Sequence, residues 1–356
     1  MKKLVILFFF GCGVLFLQHC KKDPSLDMPI LTSDSTNNPI PYVITIPPGF
    51  PTVLNTPADN PLTVEGIALG KKLFYDPILS GDNTMSCASC HAQAFNFSDH
   101  NKQFSKGITG AIGTRNAPAL INLIWEPYFF WDGRAATIEE QVLSPVANPI
   151  EMHLSWTTAV AKVQSNAEYP DLFNKAFQTT TVTQDLITKA IAQFERTFIS
   201  ANSRFDRWVL NIDTLSASEK RGYDIFYTEK GDCFHCHTTK LFTDNLFHNN
   251  ALDAFPNDSG RAKVTRNSND VGKFKTPTLR NIAYSAPYMH DGRFATLEEV
   301  IDFYSSGLQF SATVDPFMKK VNSGGVQLDA QSKQDLINFL KTLGDPEYIS
   351  NTAYSP

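Results

Sequence analysis

Two short runs carry the chemistry of this chain. Cys87-Ala88-Ser89-Cys90-His91 and Cys233-Phe234-His235-Cys236-His237 each set two thiols two residues apart with a histidine directly behind them. That spacing is the attachment signature of a c-type haem. The thiols reach the two vinyl groups of one porphyrin as thioethers, and the trailing histidine lies under the iron as its proximal ligand. A zinc site would need both pairs to converge on one metal, which leaves the two histidines unexplained. A redox dithiol would sit in a β-α-β setting, which the sequence does not show. Cys12 and Cys20 lie in the N-terminal segment, so the two motifs use every other cysteine. The expectation is two covalently bound haem c groups, with His91 and His237 on the irons.

The surroundings of the two motifs repeat. Pro118 to Glu140 (PALINLIWEPYFFWDGRAATIEE) aligns without a gap on Pro277 to Glu299 (PTLRNIAYSAPYMHDGRFATLEE), an offset of 277 − 118 = 159. Upstream, the run from Gly70 to Tyr75 resembles the run from Gly222 to Tyr227, and each precedes its own haem motif. Two copies are too few for a solenoid. They describe a duplicated unit of helix, haem motif, long loop, D-G-R turn and helix.

The copies differ where chemistry would differ. At the same offset Trp131 stands against His290, Gln141 against Val300, Pro145 against Tyr304 and Glu151 against Phe310. The first copy has an amide and a carboxylate where the second is apolar. The second has Tyr304 where the first has Pro145, which cannot bind iron. An open iron is expected in the first half and a six-coordinate iron in the second. Met289 is the rival ligand, being a soft donor, although it aligns with Phe130 and core packing suits it better. An open iron beside a carboxylate and an amide suits peroxide cleavage. Glu151 would move a proton from the inner to the outer oxygen, and Gln141 would orient the peroxide and stabilise developing charge.

The elements that must position these groups read as helices. Ser216-x-x-Glu219 is a capping box ahead of the second motif. Leu186, Ile187, Ala190, Ile191, Phe194 and Phe198 form one helical face, and Leu336, Ile337, Leu340 and Leu343 another. No run of alternating strands appears. The expected class is all-α, with two tandem cytochrome c-like domains. The N-terminal haem domain would span residues 61–212 and the C-terminal one 213–356, with the passage around Asn202 to Asp213.

With 356 residues, 42% of them apolar, the chain can bury two cores, and its net charge of −5 excludes disorder and argues against nucleic-acid binding. Residues 1–19 read as an export signal, with two lysines ahead of the apolar stretch Leu4 to Leu17. Leu17 sits three before Cys20, as in a lipoprotein cleavage box, so Cys20 is the expected lipid site. Cys12 is a rival, and an uncleaved anchor helix the alternative. Removing residues 1–19 gives a mature charge of 29 − 36 = −7. Residues 20–60 read as a tether or linker, with the stretch from Pro41 apolar enough to lie on the domain. The expected location is the periplasm, lipid-anchored to a membrane.

Over about residues 60–345 the chain resembles the bacterial di-haem cytochrome c peroxidase and MauG family. The resemblance rests on the two C-x-x-C-H motifs and on RNAPAL, FFWDGRAATIEEQV, NPIEM, TPTLRN and PYMHDGRFATLEEV. It implies reduction of hydrogen peroxide at the first haem, with electrons passed through the second from a small periplasmic cytochrome c or cupredoxin. Gln141 and Glu151 match the distal pair, and Trp131 matches the tryptophan placed between the haems. Asn116 and the carbonyls of Ser285 and Pro287 match an interdomain calcium site, although threonine is usual at the first of those carbonyls. Family members are often homodimers. Arg134 and Arg293 would pair with haem propionates or brace their turns through Asp132 and Asp291. His290 would meet a propionate or calcium-site waters. His153, His235 and His248 read as structural.

Two departures from the family pattern stand out. The loop Phe104 to Gly113 lacks the histidine that caps the first iron in many members, and His100 lies out of register. Tyr304 stands where the usual peroxidases place methionine on the second iron, as in MauG. The alternative activity is therefore MauG-like oxidation of a protein or other large substrate. A third alternative, a plain electron carrier, has no use for Gln141 and Glu151.

Overall fold

Helices build the molecule and come in matched sets. A computed structural model describes residues 38–99 and 101–356. The signal segment, Cys12, the lipid site Cys20 and His100 lie outside the described residues. Among the described residues there are ten α-helices: α1 (Val64–Tyr75), α2 (Ile138–Ala147), α3 (Trp156–Ser165), α4 (Tyr169–Phe177), α5 (Gln184–Glu195), α6 (Arg204–Val209), α7 (Ala217–Phe226), α8 (Ala262–Thr265), α9 (Leu297–Ser306) and α10 (Ala330–Lys341). The one sheet is an antiparallel ribbon of β1 (Phe247–His248) and β2 (Phe274–Lys275). The helical expectation holds, with that small ribbon added.

Local sequence explains where the helices begin. Thr63, Thr137, Thr183 and Thr296 each accept a backbone N–H of the first turn, satisfying donors that a helix leaves open. The capping box at Ser216 and Glu219 forms as expected. α5 buries Ile187, Ala190, Ile191 and Phe194. α10 buries Leu336, Ile337 and Leu340, and Leu343 is buried just past its end.

In the first half α1 packs on α5, and in the second α7 packs on α10. Both crossings depend on a glycine. A Cβ on Gly70 would lie 1.9 Å from the Ala190 carbonyl oxygen, and one on Gly222 would lie 2.0 Å from that of Asp335. Phe74, Phe97, Phe194 and Phe198 fill the first core, and Phe205, Phe226, Phe242 and Phe339 the second.

The 159-residue offset holds in the backbone. Asn122 and Asn281 are both left-handed (φ +56° and +60°), as are Phe130 and Met289 (+65° and +74°) and Gly133 and Gly292 (+66° and +61°). Bridges Phe129–Ala135 and Tyr288–Phe294 close the two D-G-R turns. The ten residues of α2 and of α9 coincide at that offset.

Segments near both ends of the described residues pack into the body. Within the expected 20–60 linker, Ile44 and Phe50 are buried against Trp125 and Leu241. Tyr348 and Tyr354 lie in the first core. The Tyr75 hydroxyl donates to the Tyr354 carbonyl (2.6 Å), and Gln93 Nε2 donates to those of Tyr348 and Asn351 (3.1 and 2.9 Å). The extreme C-terminus thus belongs with the first core, because it supplies the aromatic surface that closes it.

Candidate haem centres

Each motif histidine is set by its own loop. His91 Nδ1 lies 2.7 Å from the Phe97 carbonyl, and His237 Nδ1 lies 3.0 Å from that of Phe242. Both phenylalanines are left-handed, φ +53°, which turns their carbonyls back toward the motif. A carbonyl at Nδ1 fixes the proton there and leaves Nε2 as the ring atom available to a metal. Burial holds both imidazoles below the usual histidine pKa, so they are neutral, as ligation requires.

Cys87, Cys90, Cys233 and Cys236 form no disulfide, and burial raises the thiol pKa of all four. The cysteines and both histidines line one cavity of about 900 Å³ that reaches into both halves. Two thiols and a free imidazole nitrogen on each of two mainly apolar walls are the donor set a covalent haem needs. The residues therefore fit two such groups.

Gln141, Pro145 and Glu151 line the cavity in the first half. Gln141 and Pro145 stand on α2. Glu151 follows the helix and is held by Asn148, whose Nδ2 donates to Oε1 at 2.7 Å while its Oδ1 accepts from the Ile150 N–H (3.0 Å). Burial raises the Glu151 pKa, and Asn148 and Arg134 pull the other way. Sequence reasoning missed Asn148. Its signal was available, since Asn directly after a helix and three before a carboxylate can cap one and bond the other.

The two arginines brace their turns. Arg134 Nη1 lies 3.0 Å from Asp132 and the guanidinium stacks on Phe130, 3.4 Å from the ring centre. Arg293 is shared by Asp291 (2.6 Å) and Asp253 (2.8 Å). Arg134 still lines the cavity, whereas Arg293 is not among its lining residues. Of the two roles expected of Arg293, this geometry displays the bracing of the turn.

In the second half Tyr304 and Met289 both line the cavity. The Tyr304 hydroxyl accepts from Asn250 Nδ2 at 3.0 Å, and Met289 Sδ lies 3.6 Å from the same nitrogen. Burial pushes the Tyr304 phenol up to about 12, against the pull of the Asn250 bond. Asn250 lies outside the aligned runs of the two copies, so nothing in the repeat marked it.

Trp131 sits where the halves meet. Its Nε1 donates to the Asn116 carbonyl and its own carbonyl accepts from the Lys275 N–H, both at 2.8 Å. Lys275 also pairs with Glu126. The Asn116 N–H donates to the His290 carbonyl, and the His290 ring stacks on Phe274 at 3.7 Å. Asn116 Nδ2 lies 3.2 Å from the carbonyls of Lys102 and Gln103. The Asn101 N–H reaches the Ala286 carbonyl, so residues 101–103 run beside Ser285 and Pro287. With its amide turned over, Asn116 would set Oδ1 beside the carbonyls of Lys102 and Gln103, oxygens other than the Ser285 and Pro287 carbonyls expected for calcium.

One further cavity residue escaped the sequence reading. Glu195 is buried at the end of α5, beside Cys87, and burial pushes its carboxyl up to about 8. The next residue, Arg196, turns away to grip Glu139 with two bonds of 2.8 Å. Of the remaining histidines, His153 is exposed. His235 joins Glu229 and Asp232 (3.3 and 3.1 Å). His248 is clamped between Asp244 and Asp315 (2.8 and 2.6 Å).

A duplicated helical unit with two thiol–thiol–imidazole cradles, one beside a carboxylate and an amide and the other beside a tyrosine, defines a di-haem c-type redox protein. Comparison with known proteins makes this particular. The family profile described as di-haem cytochrome c peroxidase matches residues 64–214. The methylamine utilization protein MauG of Methylorubrum extorquens is 38% identical over 297 residues, covering 81% of this chain and 80% of that protein. Cytochrome c551 peroxidase of Nitrosomonas europaea is 35% identical over 296 residues, covering 80% and 82%. A crystal structure of a MauG-like protein associated with microbial copper homeostasis superposes with a TM-score of 0.82 at 36% identity, covering 88% of this chain and 99% of that one. The chain belongs to the di-haem cytochrome c peroxidase family.

Proposed function

We propose that the protein reduces hydrogen peroxide to water, consuming two electrons and two protons per peroxide. Bound haem supplies iron that coordinates peroxide and exchanges single electrons. The chain supplies the rest. His91 and His237 present Nε2, and the four motif cysteines fix the groups covalently. In the first half Glu151 accepts a proton from the inner peroxide oxygen and returns it to the outer one. Gln141 orients the peroxide and donates to developing charge. The observation that carries this reading is Glu151 itself, a half-buried carboxylate on the cavity wall, held by Asn148 at 2.7 Å.

Residues 61–212 are the peroxidatic domain in this reading and residues 213–356 the electron-transfer domain, whose haem iron Tyr304 would hold together with His237. Trp131, whose indole bonds Asn116 of the first half while its backbone carbonyl accepts from Lys275 of the second, is the residue through which they communicate. Calcium held by Asn116, Ser285 and Pro287 keeps the halves in register. The electron donor is a small periplasmic cytochrome c or cupredoxin, and a lipid on Cys20 keeps the protein at the membrane.

A second reading has specific support. Tyr304 in place of methionine, together with the MauG relatives, favours oxidation of a protein or other large substrate. Steady-state peroxide reduction with a reduced c-type cytochrome separates the two. The first reading expects turnover, lowered about a hundredfold or more in Glu151→Gln. Absence of turnover with a reduced c-type cytochrome and with a reduced cupredoxin, the oxidised protein still reacting with stoichiometric peroxide, would favour the second.

A further inference from the structure

We infer that Asn250 is a positioning residue that selects the axial ligand of the second haem, holding the Tyr304 oxygen in the ligand position and keeping Met289 out of it. The inference deepens the reading of Tyr304 given above and rests on it.

One amide group reaches both candidate ligands. Asn250 Nδ2 donates to the Tyr304 oxygen at 3.0 Å and lies 3.6 Å from Met289 Sδ. An amide nitrogen carries two donor hydrogens, so it can face both atoms at once. The two contacts have opposite consequences. A phenol oxygen ligates as phenolate, and a donated hydrogen bond stabilises that charge while leaving lone pairs for a metal. Thioether sulfur is a weak acceptor, and a donor directed at it competes for the lone pair that would bind iron.

The loop gives the amide a fixed place. Asn249 Nδ2 bonds Ser311 and Thr313 at 3.0 and 2.9 Å, and its Oδ1 accepts from the Ala251 N–H at 3.0 Å. The Gln309 N–H donates to the Ala251 carbonyl at 2.8 Å. Asn250 is therefore pinned from both sides, on a wall of the cavity that Tyr304 and Met289 share. The first half presents Phe130 and Pro145 at the aligned positions. Neither is a ligand, so no selecting amide is needed there.

The test uses the oxidised, haem-loaded protein and its Asn250→Leu and Asn250→Asp variants. Leu removes the donor. Asp keeps the shape but turns an acceptor on the phenolate, which guards against a packing effect of Leu. Absorption and electron paramagnetic resonance spectra, with the potential of the second haem, are the readouts. In both variants the tyrosinate low-spin signal should be lost, a sulfur-to-iron charge-transfer band should appear and the potential should rise. The band should vanish again when Met289→Leu is added. An unchanged second-haem spectrum in both variants would overturn the inference, as would a five-coordinate iron with no sulfur band. Tyr304→Phe tests the parent reading separately. A wild-type spectrum in that variant would remove Tyr304 as ligand whatever Asn250 does.

Discussion

Replacing Asn148 with Ala should move the acid limb of peroxide turnover to higher pH. Glu151 must be ionised to accept a proton, so the rate falls as pH drops through its pKa. Burial has already raised that pKa, and the Asn148 bond of 2.7 Å holds it down. A hydrogen bond to a charged group contributes about 1.5–3 kcal/mol, and one pH unit corresponds to about 1.36 kcal/mol. Losing the bond should therefore raise the Glu151 pKa by about one to two units. Asn148→Asp should move it further in the same direction, because a second carboxylate beside Glu151 disfavours its charge. The assay is kcat/KM for peroxide from pH 4 to 9 with a reduced c-type cytochrome, since this parameter reports groups of the free enzyme. The deficit should be largest at acid pH and shrink above both limbs. A loss of equal size at every pH would mean that Asn148 only orients the side chain. An unmoved limb with undiminished rate would mean that Glu151 is not the base.

Two further perturbations test the frame around the haem sites. Glu195 is protonated in the folded protein up to about pH 8, whereas in the unfolded chain it ionises in the ordinary carboxylate range, so the native state loses stability as pH rises between those values. Glu195→Gln should remove that loss, leaving the variant more stable by on the order of 3 kcal/mol at pH 7 and near equal at pH 4. Denaturant titrations of the haem-loaded protein would show it, and a difference that does not change with pH would refute it. Gly70→Ala puts a methyl 1.9 Å from the Ala190 carbonyl oxygen, and Gly222→Ala puts one 2.0 Å from that of Asp335. Each should cost about 3 kcal/mol or more, since backbone must separate. The first should broaden the spectrum of the first haem and the second that of the second haem, and equal disturbance of both by either variant would argue against separate helix pairs.

What was legible in the sequence was whatever is written in short spacing or in self-similarity. The C-x-x-C-H runs are local, and the offset of 159 carries through to backbone φ at Asn122 and Asn281 and at Phe130 and Met289. The residues that tune the sites were not legible. Asn250 acts on Tyr304 from 54 positions away, and a contact between a loop and a helix leaves no mark in either segment's pattern. Glu195 looked like one of several polar residues on a helix with one apolar face. Only packing shows that it faces the cavity while its neighbour Arg196 is taken by Glu139. Arg293 was ambiguous because the D-G-R turn offers Asp291 in either reading, and Asp253, its second partner, comes from 40 residues upstream.

The difference between the halves concentrates at Pro145. A proline inside a helix removes one i to i−4 hydrogen bond and costs about 3 kcal/mol. α2 carries it at the eighth of ten residues, where the bond lost is the one to the Gln141 carbonyl. α9 forms over the same ten positions with Tyr304 there, so the fold does not require proline. Its cost is offset by what it prevents. No side chain at position 145 can donate to a metal, while Gln141 and Glu151 remain on the cavity wall around it. The same backbone thus presents Pro145 in one copy and, in the other, Tyr304 with Asn250 bonded to it.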